Sequence, residues 1–140
     1  DEDFRNYQVD AGEVGAGHAV TALYELSFHP ETAGRVATVS LRYEDPDTGD
    51  VHEQGGDVNR KMFHTALEEA SPHFQLQAVV AQYAEVLRRS YWAQGSSLVQ
   101  VRDMAQRVSA WLPGDPDVRE FVQLVTQAAR IAPEQVRYMR

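Results

Sequence analysis

The chain of 140 residues contains no cysteine, which excludes disulfides, thiolate metal sites and cysteine nucleophiles. Basic residues are scarce: 13 Lys and Arg stand against 21 Asp and Glu, for a formal charge of −8. Such a surface repels phosphate. No Lys/Arg cluster with interleaved aromatics offsets it, so nucleic acid is not an expected partner. No apolar run approaches the roughly 18 residues of a membrane span, and no basic start followed by an apolar core marks a secretory leader. The chain opens on DEDFRNYQ without an initiator Met. It is therefore expected to be part of a longer polypeptide, and the missing leader says nothing about its address.

The motifs of common catalysts are missing too. No G-x-S-x-G elbow supplies an activated serine. The five histidines (His18, His29, His52, His64 and His73) show neither H-E-x-x-H nor H-x-x-x-H spacing. No two acids are tied by spacing into an acid/base pair.

What is present changes character near residue 60. In AVTALYELSF, Val20, Ala22, Tyr24, Leu26 and Phe28 share one face, with Thr21, Glu25 and Ser27 on the other and Leu23 as the exception. HPETAG reads as a turn. RVATVSLRY alternates again, with Ala37, Val39, Leu41 and Tyr43 on one side. These segments, 18–28 and 35–43, read as two half-buried strands, expected to be antiparallel neighbours. EDPDTGD is a turn, and VHEQ at most a weak third strand.

Beyond residue 70 the period is helical. Ser71 is a candidate N-cap with Pro72 at the first helical position, ahead of a stripe of Leu76, Val79, Val80, Tyr83 and Leu87. Ser97 and Gln100 form a capping-box pattern before Leu98, Val101, Met104, Ala105, Val108 and Trp111. Asp115 and Pro116 open a third stripe of Val118, Phe121, Val122, Val125 and Ala129, ended by Pro133.

Four places invite a functional reading. The loop DAGEVGAGH holds Gly12, Gly15 and Gly17, but the order reverses a dinucleotide fingerprint and precedes a strand, and no Gly-Lys-Ser/Thr follows. Its glycines therefore serve backbone conformation, with Val14 and Ala16 packing. DPDTGD carries Asp45, Asp47 and Asp50, yet Gly49 and Asp50 stand in the wrong order for a calcium loop and Gly56 occupies the place of its bidentate Glu. Asp10, Glu13 and His18 lie close in sequence and could form a cation-binding or hydrolytic site. Tyr91 and Trp92, following Arg88 and Arg89, are the residue types of binding hot spots, although large aromatics more often cap a helical bundle.

VDAGEVGAGHAVTALYEL resembles a segment that follows the von Willebrand factor A domain in bacterial proteins of the YfbK-like family. VATVSLRYEDPDTG is similar to that family's next strand and turn, FHTALEEASPHFQLQAVVAQYAEVLRRS to its first helix, and DPDVREFVQLVTQAA to its last. The resemblance implies an accessory domain beside an A domain, in the bacterial cell envelope or an extracytoplasmic place. It also implies upstream apolar strands that pair with 18–28 and 35–43. The cation-binding D-x-S-x-S motif of A domains does not occur in this chain, so no metal role transfers.

The expectation is an α+β chain: a small antiparallel sheet of two to three strands, then a three-helix unit. Residues 1–60 form the β-rich part of a sandwich-like sheet and 61–140 the helical unit, together one accessory domain. Two functional readings stay open. One is a non-enzymatic scaffold or interaction domain without a cofactor, its surface around Tyr91, Trp92, Arg88 and Arg89, with self-association through an exposed strand edge. The other is the site at Asp10, Glu13 and His18, with Asp45 and Asp47 nearby. Converging carboxylates with shifted pKa values would favour the second.

Overall fold

A computed structural model describes residues 4–6, 8, 12–15 and 17–132. The chain divides into two units, Asp1–His64 and Thr65–Arg140. An antiparallel two-stranded sheet precedes three helices, the α+β arrangement read from the sequence.

In the first unit, β1 (Arg35–Glu44) pairs with β2 (Val51–Asn59). The turn between them is closed by Asp45 N donating to Asp50 O at 2.9 Å, while Asp45 Oδ1 accepts from Asp47 N at 2.8 Å and Thr48 N at 3.2 Å. This Asx-type turn sets the register. It places Ala37, Val39, Leu41 and Tyr43 opposite Val58, Gly56, Gln54 and His52 on one face, and Thr38, Ser40 and Arg42 opposite Asp57, Gly55 and Glu53 on the other.

Two expectations about strands need correction. VHEQ was read as at most a weak strand, but the whole of Val51–Asn59 is the partner of β1, because the adjacent turn delivers it to the ladder despite its poor strand propensity. Residues 18–28 were expected to pair with β1, and they adopt neither strand nor helix. Alternation makes a segment able to line a sheet. It does not supply the neighbouring strand. Tyr24 is 84% exposed, and Val39, Leu41 and Tyr43 are also exposed instead of half-buried.

The polar face of the hairpin is held by charge. Arg5 forks onto Glu53 through Nε at 2.9 Å and Nη2 at 2.8 Å, and Arg42 Nε lies 3.6 Å from the same carboxylate. Thr38 Oγ1 donates to Asp57 Oδ1 at 2.8 Å. The Arg5 hydrogen bond holds the Glu53 carboxyl below its usual range, and the Thr38 hydroxyl, aided by Arg35, does the same for Asp57. A carboxylate depressed in the folded state contributes stability above its unfolded pKa, and that contribution is lost as pH falls through the folded value. The hairpin is therefore expected to hold constant from pH 7 to about 5 and to loosen below about pH 4. The Thr38 and Asp57 amide signals, followed by NMR against pH, report this, and Asp57→Asn removes part of the dependence. A hairpin equally stable at pH 3 and pH 7 would contradict these pairings.

The helices begin where their caps are encoded. Ser71 Oγ accepts from Phe74 N at 3.3 Å ahead of α1 (Pro72–Leu87). Ser97 Oγ accepts from Gln100 N at 3.2 Å, and Gln100 Oε1 accepts from Ser97 N at 2.9 Å, completing the capping box of α2 (Leu98–Ser109). Asp115 Oδ1 accepts from Asp117 N and Val118 N to start α3 (Pro116–Ile131). Pro133 lies outside the described residues.

α2 packs against both α1 and α3. The core takes Val79, Tyr83 and Val86 from α1, Leu98, Val101, Ala105 and Val108 from α2, and Val125 and Ala129 from α3. The Tyr83 and Phe121 rings meet edge to face at 5.7 Å. In α1 the buried stripe is rotated from the expected one. Val86 is buried, while Val80 and Leu87 are exposed. Trp111, assigned to the α2 stripe, lies beyond the helix end and is exposed, and Leu112 packs on the core instead.

Candidate functional site

The exposed aromatic pair follows directly from how α1 ends. Arg88 caps the helix, Arg89 N donates to Val86 O at 3.1 Å, and Ser90 N reaches back to Glu85 O at 2.9 Å. This double closure is a Schellman motif, whose left-handed position usually holds glycine. Here Arg89 occupies it at φ 53°, the one non-glycine residue with positive φ among the described residues. A side chain in that conformation costs about 1 kcal/mol.

Ser90 Oγ then accepts from Trp92 N at 3.1 Å and starts a single 3-10 turn, Tyr91–Ala93. Ala93 is buried and anchors the turn from beneath. Tyr91 and Trp92 point outward, 70% and 73% exposed, with ring centroids 5.4 Å apart and planes at 88°. They do not cap the bundle, the commoner fate of large aromatics. Arg88 donates to Glu85 Oε1, and this bond, with one from Ser90, holds the Glu85 carboxyl below its usual range. Arg89 forms no ion pair among the described residues.

Beside the turn, an open polar groove of about 390 Å³ is lined by Gln82, Gln94, Ser96, Gln100, Asp103 and Arg107. Gln82 Nε2 donates to Ser96 Oγ at 3.0 Å across it. Sequence reasoning missed this groove, because residues 82 and 96 are brought together only by the turn at 88–97. Exposed Tyr and Trp rings are the side-chain types most often found at the centres of protein-binding surfaces.

Of the three loop glycines expected to serve backbone conformation, only Gly17 takes a left-handed one. His18 N donates to Gly15 O at 3.0 Å, closing a turn in which Gly17 takes φ 79°. Gly15 and Gly12 do not share that conformation. Gly15 instead makes room for the His18 ring, since a Cβ there would lie 3.0 Å from Nδ1, and a Cβ on Gly12 would touch nothing within 4 Å. Val14 is exposed rather than packed, and Ala16 lies outside the described residues.

Of the alternative site, Asp10 lies outside the described residues, while Glu13 and His18 are both exposed. The Asp45 carboxylate is engaged in its own turn. Among the described residues no three of His, Cys, Asp and Glu gather in a metal-holding cluster. A thermal melt with calcium, magnesium, manganese or zinc is accordingly expected to match the melt with chelator. An ion at 100 times its Kd would add about 2.7 kcal/mol, so a shift abolished by His18→Ala would contradict this directly.

No helix among the described residues is long and apolar enough to cross a membrane. None of the curated proteins and none of the solved structures matches the chain. One family model does match, over residues 1–131, and its description is the C-terminal region of the uncharacterized protein YfbK. With nearly its whole length matched, the chain belongs to the YfbK C-terminal family.

Proposed function

We infer that the chain is a non-enzymatic accessory domain that binds another protein through Tyr91 and Trp92. The partner proposed is a von Willebrand factor A domain in the same longer polypeptide. The family describes a C-terminal region, and the sequence carries neither the G-x-S-x-G nor the H-E-x-x-H motif of common catalysts. The observation that carries the reading is the aromatic pair itself. Two large rings are held outward on a hydrogen-bonded turn, beside an Arg kept in a conformation it resists. Strain retained at a surface position is common where the position serves binding.

Titration calorimetry of the chain against a separately produced A domain tests this. Trp92→Ala is expected to weaken binding about thirty-fold, equivalent to about 2 kcal/mol, while leaving the melting temperature unchanged. Arg89→Gly is expected to raise the melting temperature by several degrees by releasing about 1 kcal/mol of strain, and to weaken binding. No binding by the intact chain, or equal binding by Trp92→Ala, would overturn the reading.

A further inference from the structure

The geometry points to a second conformation of the first unit, in which residues 20–26 dock as a third antiparallel strand on the edge of β1 opposite β2. This goes beyond the binding reading above and is independent of Tyr91 and Trp92.

Register carries the inference. With Leu26 opposite Ala37, Tyr24 falls opposite Val39, Ala22 opposite Leu41 and Val20 opposite Tyr43. All eight side chains then share the face on which β1 already presents its apolar residues. A slip of one residue would place Thr21, Leu23 and Glu25 there instead, with only Leu23 apolar, so the pattern selects this parity.

The connection is already set for it. Phe28 meets Phe63 edge to face at 4.9 Å and lies beneath the Arg60 guanidinium, also at 4.9 Å. Arg35, at the start of β1, pairs with Asn59, the residue before Arg60. The C-terminal end of the segment is therefore fixed beside the end of β1 where a return must begin. Between them, Thr32 N donates to His29 O at 3.0 Å in a turn.

The hairpin also has a place for the incoming ring. An open groove of about 450 Å³ lies over Val39, Leu41, Gly56 and Val58, and a Cβ on Gly56 would touch nothing within 4 Å. Tyr24, 84% exposed, would sit next to Val39 at its border. A two-stranded hairpin is marginal alone, and a third strand is the smallest addition that makes such a sheet self-sufficient.

The absence of cysteine makes a trap clean. Under mild oxidation, the double variant Tyr24→Cys with Val39→Cys is expected to form an intramolecular disulfide at least tenfold faster than Glu25→Cys with Val39→Cys, whose thiols point to opposite faces. Equal rates, no disulfide, or disulfide-linked dimers would overturn the proposal, the last by assigning the strand to a second copy. Should the variants fail to fold, NMR relaxation dispersion on the unmodified chain decides. One shared exchange process confined to residues 20–26 and 37–43 is expected, and flat profiles there would overturn it.

Discussion

Val101→Ala is expected to lower the melting temperature of the helical unit by about 10–20 °C. Val101 is fully buried in α2, the helix that packs against both others. Removing two methyl groups forfeits roughly 1.6 kcal/mol of transfer free energy at ~0.8 kcal/mol per carbon. The void left between three helices adds a cavity term, for a total of about 2–3 kcal/mol. A domain of this size shifts by about 4–8 °C per kcal/mol. Val80→Ala is the control. Val80 is 43% exposed, and alanine's better helix propensity offsets the small loss of contact, so little change is expected. Circular dichroism at 222 nm distinguishes the two. Equal effects would mean that the buried face of α1 is the one read from its sequence.

Gly55→Val is expected to dissolve the hairpin while Gly56→Val leaves it intact. The two glycines are adjacent in β2 and share no reason for being glycine. A Cβ on Gly55 would lie 2.7 Å from Val39 O, a backbone atom that cannot swing aside. Ordinary carbon–oxygen contacts stay beyond about 3.3 Å. The strands would have to separate, at a cost of about 1–3 kcal/mol in a two-stranded ladder with little to spare. At Gly56 the added side chain enters open space beside Val39, where a β-branched residue suits a strand. Cross-strand NMR contacts between Ser40 and Gly55, or Val39 and residue 56, report the outcome. Loss of the ladder in both variants would contradict the register.

The helical half was legible because its signals are local. Ser71 with Pro72, Ser97 with Gln100, and Asp115 with Pro116 each start a helix through bonds made within three residues. The face of α1 was less legible. Leu76, Val79, Val80, Tyr83 and Leu87 fit a helical period as well as Val79, Tyr83 and Val86 do, and only the neighbouring helices decide which stripe is buried. In the first unit, alternation marked 18–28 as a strand and VHEQ only as a weak one, yet pairing follows the turn at 45–50. The candidate site was half legible. Its residue types stood out, but their exposure depends on Arg89 taking a left-handed position where glycine is the usual signal.

The central claim is that Trp92 is a binding residue held outward. The chain has two tryptophans, and both are exposed. Trp111→Phe leaves Trp92 as a single site for 5-fluorotryptophan, and its ¹⁹F resonance is followed as an unlabelled von Willebrand factor A domain is added. A saturable shift, with loss of the resonance's sensitivity to solvent deuteration, is the expected result. A resonance that stays at its free position while calorimetry shows the complex forming would place the interface elsewhere and contradict the claim.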